Sequence, residues 1–219
     1  MITDKYNMTE EENIFIAKRN IVDSIYSNAK IEGINITFPE TQVLYDGVNV
    51  ARLTIDEINT IRNLKRAWEF LINNINEKFD LNFICKINEE VARDESLGWG
   101  SLRDGKVAIT GTEYVPDIPQ KDKIIEDLKE IMKIECVTQR AISYMLYGMR
   151  NQLFWDGNKR TSIICANKIM IENGKGIIII KDKYLQEFSL LLSEFYTTGE
   201  SEKIENFIWK NCIIGIERN

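Results

Sequence analysis

Histidine is absent from the 219-residue sequence. Catalytic triads that use imidazole, metal sites with histidine ligands and acid–base catalysis by imidazole are therefore excluded within this chain. The four cysteines form no CxxC pair, and each stands among apolar residues. They predict buried, reduced thiols in a cytoplasmic protein rather than a zinc site or a disulfide framework. These cysteines are Cys85, Cys136, Cys165 and Cys212.

Long apolar runs are also missing, since the longest purely aliphatic run is IIII at 177–180. The N-terminal stretch MITDKYNMTEEENIF is polar and acidic, without the apolar centre of a signal peptide. The net charge is −6, with acidic and basic residues interspersed. This balance argues against a nucleic-acid groove and against a polybasic membrane surface, while a local basic pocket for a nucleotide stays open. We therefore expect a cytoplasmic protein that binds neither membranes nor nucleic acids.

Apolar residues recur with a helical period through most of the chain, which predicts an all-α fold. Residues 9–30 and 54–78 show this period, and Thr54 followed by Glu57 is a capping box that predicts where the second helix begins. The length suits one domain, or one domain with a helical extension. Further helical patterns run over about 82–93, 120–132, 134–150, 159–173, 183–197 and 201–213.

The segment between Ser96 and Pro119 breaks the helical pattern. It is rich in glycine, contains two of the three prolines and alternates in polarity around Lys106–Thr110. Asp104-Gly105 is a candidate turn. The segment predicts a loop or a short hairpin between two helical blocks.

The stretch DGNKR at 156–160 has the residues of a phosphate-binding turn. Gly157 and Asn158 favour a turn whose N–H groups bind an anion, and a helix that begins there adds its positive end. Lys159 and Arg160 bring cations, and Asp156 can ligate Mg²⁺ together with phosphate oxygens. The alternative is a plain turn before a helix, with both cations in solvent. These five residues alone do not separate the two interpretations.

The longer stretch GMRNQLFWDGNKRTS at 148–162 resembles the signature of the Fic/Doc (Fido) family, H-P-F-x-[D/E]-G-N-[G/K]-R. Residues 93–119 are similar to the region that leads into and through the family's target-docking flap. SNAKIEGINITFPET at 27–41 resembles its inhibitory N-terminal segment, and ESEKIENFIWKNCI its closing helix. The matching motif residues are Phe154, Asp156, Gly157, Asn158, Lys159 and Arg160.

The resemblance implies an all-α Fic fold with a short β-hairpin flap. An N-terminal helical segment, 1–50, would carry the inhibitory-type motif and pack on a core domain, 51–219. Proteins of this family typically transfer AMP from ATP to a hydroxyl of a target protein, so ATP and Mg²⁺ are the implied cofactors. The resemblance makes Asp156 the Mg²⁺ ligand, Gly157, Asn158 and Lys159 the phosphate nest, and Arg160 the phosphate arginine. Phe154 would anchor the loop.

The implied flap consists of Lys106, Val107, Ala108, Ile109 and Thr110. It would dock an extended segment of a target protein through main-chain hydrogen bonds. The alternative is a hairpin that packs on the domain itself. The sequence leaves open the target, the preferred nucleotide and a homodimer.

The chain departs from the family motif where the chemistry takes place. The position of the family's catalytic base falls on Gln152, whose neutral amide cannot take a proton near pH 7. Leu153 replaces the motif proline, and Ile163 replaces a second arginine. Two functions remain: an ATP- and Mg-binding protein descended from adenylyltransferases with impaired transfer, or a non-catalytic module that binds partners or regulates. DGNKRT also resembles the kinase-like Doc branch, but that branch uses the same histidine.

Glu32-Gly33 matches the family's inhibitory motif, although Asn28 stands at its Ser/Thr position. The usual partner of the inhibitory glutamate is the second arginine, which Ile163 replaces. We therefore expect Glu32 to pair with Arg160 or Lys159. The alternative is that Glu32 merely ends a helix before Gly33. A residual phosphodiester hydrolase, with Glu32 activating water, is a further alternative.

Overall fold

The computed structural model describes residues 2–218, in which ten α-helices follow one another with two short strands. A single 3₁₀ turn, Asp182–Tyr184, precedes the ninth helix. The helices are α1 (Glu10–Arg19), α2 (Ile21–Ile31), α3 (Phe38–Tyr45), α4 (Ile55–Asn73), α5 (Leu81–Val91), α6 (Lys121–Met132), α7 (Val137–Asn151), α8 (Asn158–Glu172), α9 (Leu185–Thr198) and α10 (Glu202–Asn211).

The predicted all-α class with a short two-stranded element is confirmed. The strands are β1 (Ile177–Ile178) and β2 (Ile213–Ile214), which pair antiparallel with Ile177 opposite Ile214. The pairing therefore lies away from 106–110, which is a loop rather than the hairpin that the resemblance implied. A ladder needs facing N–H and C=O groups. Here the carbonyls of Gly105 and Asp117, on either side of the loop, accept from the Arg103 guanidinium instead.

The helix expected over 9–30 is two helices that meet at Asn20. Its backbone leaves the helical region, with φ −107° and ψ 16°, and its side-chain amide donates to the carbonyl of Ile16 at 2.8 Å. Asparagine competes with the main chain in this way, and a count of apolar positions does not detect it. The predicted capping box of α4 is present, with Thr54 and Glu57 each accepting from the other's N–H.

The pair α7 and α8 forms the centre of the fold. Helix α8 is buried along nearly its whole length, as is typical of a helix that other elements surround. Helices α1, α4, α5 and strand β1 pack around it, and α2 packs against α3, α4 and α9 in the same apolar core. None of the helices in residues 2–218 is long and apolar enough to cross a membrane.

All four cysteines are free thiols, two of them buried and two half-buried. Burial raises the pKa of the Cys85 thiol to about 11, so little of it is thiolate near neutrality. The expected burial is therefore confirmed for Cys165 and Cys212, whereas Cys85 and Cys136 are half-buried.

Candidate functional site

The loop between α7 and α8, residues 152–157, is called the motif loop below. It begins at Gln152, which ends α7 in a left-handed conformation (φ 46°), and it ends at Gly157 (φ 71°), the N-cap of α8. The amide of Asn158 reaches back to Phe154, accepting from its N–H at 2.9 Å and donating to its carbonyl at 2.8 Å. Phe154 is buried, as an anchor must be. The Asn158 side chain therefore fixes the loop, and only its main-chain N–H can meet a ligand.

Gly157 is required by the packing of the loop against α5. A Cβ atom at this position would lie 2.7 Å from Cγ1 of Val91, and the positive φ already disfavours any side chain. Asn88 of α5 ties the same region together. Its amide donates to the carbonyl of Asp156 and to the Thr161 hydroxyl, at 3.0 and 3.1 Å. Asn88 was not predicted, because a single buried asparagine in an amphipathic helix carries no local signal.

Arg103 is a second residue that the sequence analysis missed. Arg103 is 1% exposed, and its guanidinium donates to the carbonyls of Gln152 and Gly105 at 2.5 Å and of Asp117 at 2.6 Å. Its main-chain N–H donates to the carbonyl of Leu153 at 3.1 Å. Burial lowers the pKa of Arg103, while the charges of Asp117 and Tyr114 act to raise it and do not cancel the effect of burial. Arg103 thus connects the motif loop to the loop that follows Arg103 in the chain.

The motif loop forms one wall of a cavity of about 350 Å³. The C-terminal end of α2, the 106–110 segment and α9 form the other walls. Most of the predicted site residues line this cavity: Glu32, Ala108, Ile109, Thr110, Gln152, Asp156, Asn158 and Lys159. Residues Ser189, Ser193 and Tyr196 of α9 also line it and were not predicted.

Four predicted residues lie outside the lining of this cavity, among them Gly157, which packs against α5. Lys106 lines a separate cavity beside Tyr147, and Val107 is half-buried in the loop between. The Arg160 side chain lies beneath the cavity, only 4% exposed. The expected flap therefore contributes to the cavity through its last three residues, Ala108–Thr110.

Gln152, at the base position, lines the cavity, and its side-chain amide bonds its own helix. The amide of Gln152 donates to the carbonyl of Met149 at 2.6 Å, one turn back in α7. The ionisable groups on the cavity are Glu32, Asp156, Lys159 and Tyr196. Burial, with a smaller contribution from the charge of Glu32, raises the pKa of the Tyr196 hydroxyl.

Glu32 contacts both cations of the motif. Its carboxylate lies 3.0 Å from Lys159 Nζ and 3.4 Å from Arg160 Nε, so both pairings expected from the sequence are present. Lys159 also donates to the carbonyl of Ile31 at 3.2 Å. Glu32 is at the same time the C-cap residue of α2, so it ends that helix and also pairs with the two cations.

The guanidinium of Arg160 has further partners below the cavity. It donates to the carbonyl of Val91 at 3.0 Å, and its Nη2 lies 2.8 Å from Glu95 and 3.4 Å from Asp156. Burial disfavours the charged form of Arg160, but the negative charges of Glu32, Glu95 and Asp156 outweigh this effect. The pKa of Arg160 is therefore raised. Glu95 was not predicted. Two cations thus face three carboxylates at this site.

Asp156 is suited to a cation that shares oxygen ligands with a bound anion. Its carboxylate is 48% exposed at the cavity and accepts from the N–H of Gly157. No group of three or more potential metal ligands occurs in residues 2–218, so phosphate oxygens or water would have to complete the coordination. Mg²⁺ is commonly bound this way, through one carboxylate and substrate phosphates. The first turn of α8 has no side-chain cap, which leaves its N–H groups for an anion.

Residues 78–170 match the sequence model of the Fic/DOC family. Among solved structures, the chain is similar to Fic-1 from C. elegans, at 19% identity and a TM-score of 0.76 over 90% of this chain and 62% of that one. It is similar to a Fic-domain signalling protein from Bacteroides thetaiotaomicron, at 14% identity and a TM-score of 0.73 over 93% and 86%. A third is IbpAFic2 covalently tethered to Cdc42, at 14% identity and a TM-score of 0.55 over 92% and 68%. At these identities the structural likeness shows the fold. No curated protein sequence matches the chain.

Proposed function

Because residues 78–170 form a Fic/DOC-family domain, we propose that the chain binds ATP with Mg²⁺ in the cavity beside the motif loop and is impaired in transferring its AMP. One observation carries the proposal. The cavity retains Asp156, Lys159 and the uncapped start of α8, while Gln152 stands at the base position. The anion-binding half of the motif is intact, and the proton-accepting half is absent.

The groups proposed to hold the phosphates act together. The first N–H groups of α8 and the positive end of its dipole favour an anion, and Lys159 adds a full charge. Asp156 would hold Mg²⁺, which would neutralise part of the phosphate charge. The amide of Asn158 and the contact of Gly157 with α5 keep these groups in place before any ligand arrives.

The proposed impairment follows from the chemistry of an amide. A hydroxyl must lose its proton as it attacks the phosphorus atom, and Gln152 can accept a hydrogen bond but not that proton. A positioned base typically contributes about 10²–10⁴ in rate. Glu32 and Asp156 are the carboxylates on the cavity, and their negative charges are engaged by Lys159 and Arg160.

Glu32 is proposed to regulate the same site. A phosphate group that approaches Lys159 must displace a carboxylate 3.0 Å from its Nζ atom. Replacing this carboxylate with the amide of similar shape, Glu32→Gln, should therefore strengthen nucleotide binding.

Calorimetric titration with Mg·ATP tests the binding proposal. Glu32→Gln should bind more tightly than the unmodified chain, and in that background Lys159→Ala and Asp156→Asn should each weaken binding. Lys123→Ala is a matched control, because Lys123 is 74% exposed and pairs with Asp127 on α6, away from the motif loop. Absence of binding heat at millimolar ATP, in both the unmodified chain and Glu32→Gln, would contradict the proposal.

Incubation with ATP labelled at the α-phosphate, Mg²⁺ and cell lysate tests the transfer proposal. Gln152→His should increase protein labelling by about 10²–10⁴-fold. Rapid labelling by the unmodified chain would show that transfer is not impaired. Restoring the second arginine is a poor variant, since Ile163 is 1% exposed and an arginine there would bury a charge in the core.

A non-catalytic module that docks a protein partner is the second candidate. The main chain of 106–110 makes one main-chain hydrogen bond within the described residues, from Thr112 N–H to the Ile109 carbonyl. Ala108 and Thr110 are exposed, so this loop can pair with an extended segment. IbpAFic2 was solved while tethered to a protein, Cdc42. This candidate would be favoured if the chain binds no nucleotide and if Ala108→Pro abolishes its binding to a protein partner.

A further inference from the structure

We propose that Glu95 is a second internal counter-ion of the site, which keeps most of the Arg160 guanidinium away from an incoming phosphate. The inference rests on the proposed nucleotide-binding function and concerns the regulation of that site. Nothing in the sequence motif points to Glu95, because it lies in the turn after α5, beneath the cavity. Its carboxylate is 2.8 Å from Arg160 Nη2, the shortest ion pair that Arg160 makes.

Glu95 is itself held in a fixed position. Its second carboxylate oxygen accepts from the side-chain amide of Asn63 at 2.7 Å, and that amide also donates to the carbonyl of Arg93 at 2.8 Å. Asn63 belongs to α4 and is 1% exposed. The Glu95 side chain is 12% exposed, so the charge of the pair is poorly screened by water. Helix α4 thus positions the carboxylate that pairs with Arg160.

The five N–H donors of Arg160 differ in their hydrogen-bond partners. Nη1 bonds the Val91 carbonyl, and Nη2 faces Glu95 and Asp156. Nε is buried and makes no hydrogen bond in the described residues, although Glu32 lies 3.4 Å away. Nε is therefore the Arg160 donor on the Glu32 side of the site.

The position of the Glu32 carboxylate marks where an anion fits. Its two oxygens lie near Lys159 Nζ and Arg160 Nε, the arrangement that a phosphoryl group would take over when Glu32 leaves. Glu95 remains paired with Arg160 in that case and cancels its charge. A phosphate then meets one uncompensated cation, Lys159, rather than two.

Removing the charge of Glu95 should strengthen binding of a polyphosphate. The probe is inorganic tripolyphosphate without metal, titrated calorimetrically into the full chain, since it reports the anion site without the nucleoside. In the Glu32→Gln background, Glu95→Gln should lower the Kd by about fivefold or more, the usual lower range for coupling between two groups. Glu77→Gln is the matched control, because it neutralises the carboxylate of a half-exposed pair with Lys86. The control should leave the Kd unchanged.

A second variant shows whether the gain acts through Arg160. Glu95→Gln combined with Arg160→Gln removes both partners of the pair, so no buried charge loses its partner, and the gain should disappear. If Glu95→Gln does not fold, Glu95→Asp withdraws the carboxylate by one methylene and should give a smaller gain. A thermal unfolding curve for each variant separates binding from stability.

The outcomes distinguish this inference from the proposed function. If Glu32→Gln binds tripolyphosphate and Glu95→Gln leaves the Kd unchanged, Glu95 has only a structural role and the inference is overturned. The same holds if the gain persists without Arg160. If no variant binds tripolyphosphate or Mg·ATP, the proposed function fails, and this inference fails with it.

Discussion

Two loops face each other across the cavity, and they are held in very different ways. The motif loop is fixed by the amides of Asn158 and Asn88 and by the guanidinium of Arg103. The flap loop, residues 106–114, lies after Arg103 and has few contacts at its tip. Its contacts with the rest of the domain include a 3.2 Å hydrogen bond between the hydroxyls of Thr112 and Thr197 and the stacking of Tyr114 on Arg150.

The difference suits the two tasks proposed for this cavity. Groups that bind phosphate need a fixed geometry, because a shift of about 1 Å weakens every contact at once. A surface that pairs with an extended partner needs free main-chain groups and can adjust its shape on binding. The motif loop has the fixed geometry, and the flap loop has the free main-chain groups.

Arg103→Met should produce the largest loss of stability. It removes the donor shared by the carbonyls of Gln152, Gly105 and Asp117, and an unpaired buried acceptor costs about 1–3 kcal/mol. We expect the free energy of unfolding, measured with urea, to fall by about 3–5 kcal/mol. Arg66→Met, at an exposed position on α4, should change it by less than about 0.5 kcal/mol. Equal effects of the two variants would show that Arg103 does not hold the loops.

Gly157→Ala and Gly111→Ala compare the two loops directly, because both glycines have a positive φ. At Gly157 the new methyl would lie 2.7 Å from Val91, whereas at Gly111 nothing lies within 4 Å. The left-handed conformation costs about 1 kcal/mol at either position, and the overpacking at Gly157 adds about 1–3 kcal/mol. Urea unfolding should rank Gly157→Ala well above Gly111→Ala. A similar loss for both would mean that the contact with α5 relaxes freely.

Asn158→Ala should loosen the motif loop more than Thr112→Ala loosens the flap loop. The first variant leaves both main-chain groups of Phe154 unpaired in a buried position, at a cost of about 1–3 kcal/mol. The second removes a hydroxyl whose hydrogen bonds are exposed or half-buried. Hydrogen exchange of the Phe154 amide should accelerate strongly in Asn158→Ala. If the protection of that amide is unchanged, the Asn158 side chain does not fix the motif loop.

The parts of the site that lie close together in sequence were predictable. DGNKR supplies a turn, two cations and a carboxylate within five residues, and the helical period over about 159–173 predicted α8, which begins at Asn158. The pairing of Glu32 with Lys159 and Arg160 also followed, because Ile163 left the glutamate without its usual partner. The capping box at Thr54 is a local pattern of the same kind.

The parts that depend on tertiary packing were not predictable. Asn88, Glu95 and Arg103 reach the motif loop and Arg160 from 49 or more residues away, and no local pattern distinguishes them from surface polar residues. The burial of Arg160 was missed for the same reason, since an arginine at a helix start usually faces water. Of the loop or short hairpin predicted around 106–110, the loop is present, and the carbonyls on either side of it accept from Arg103.

Tyr114→Leu should have the smallest effect, confined to the tip of the flap loop. The guanidinium of Arg150 lies 3.9 Å from the Tyr114 ring centroid, and such contacts contribute about 0.5–1 kcal/mol at exposed sites. Because the tip can open without the core unfolding, urea unfolding should barely change. Limited proteolysis between 109 and 114 should instead accelerate about two- to fivefold, the factor to which that free energy corresponds. Tyr45→Leu removes a similar contact with Lys65, 4.5 Å from the ring and far from the flap. Faster cleavage of the flap in Tyr45→Leu would show that the stacking on Arg150 is not what holds the loop.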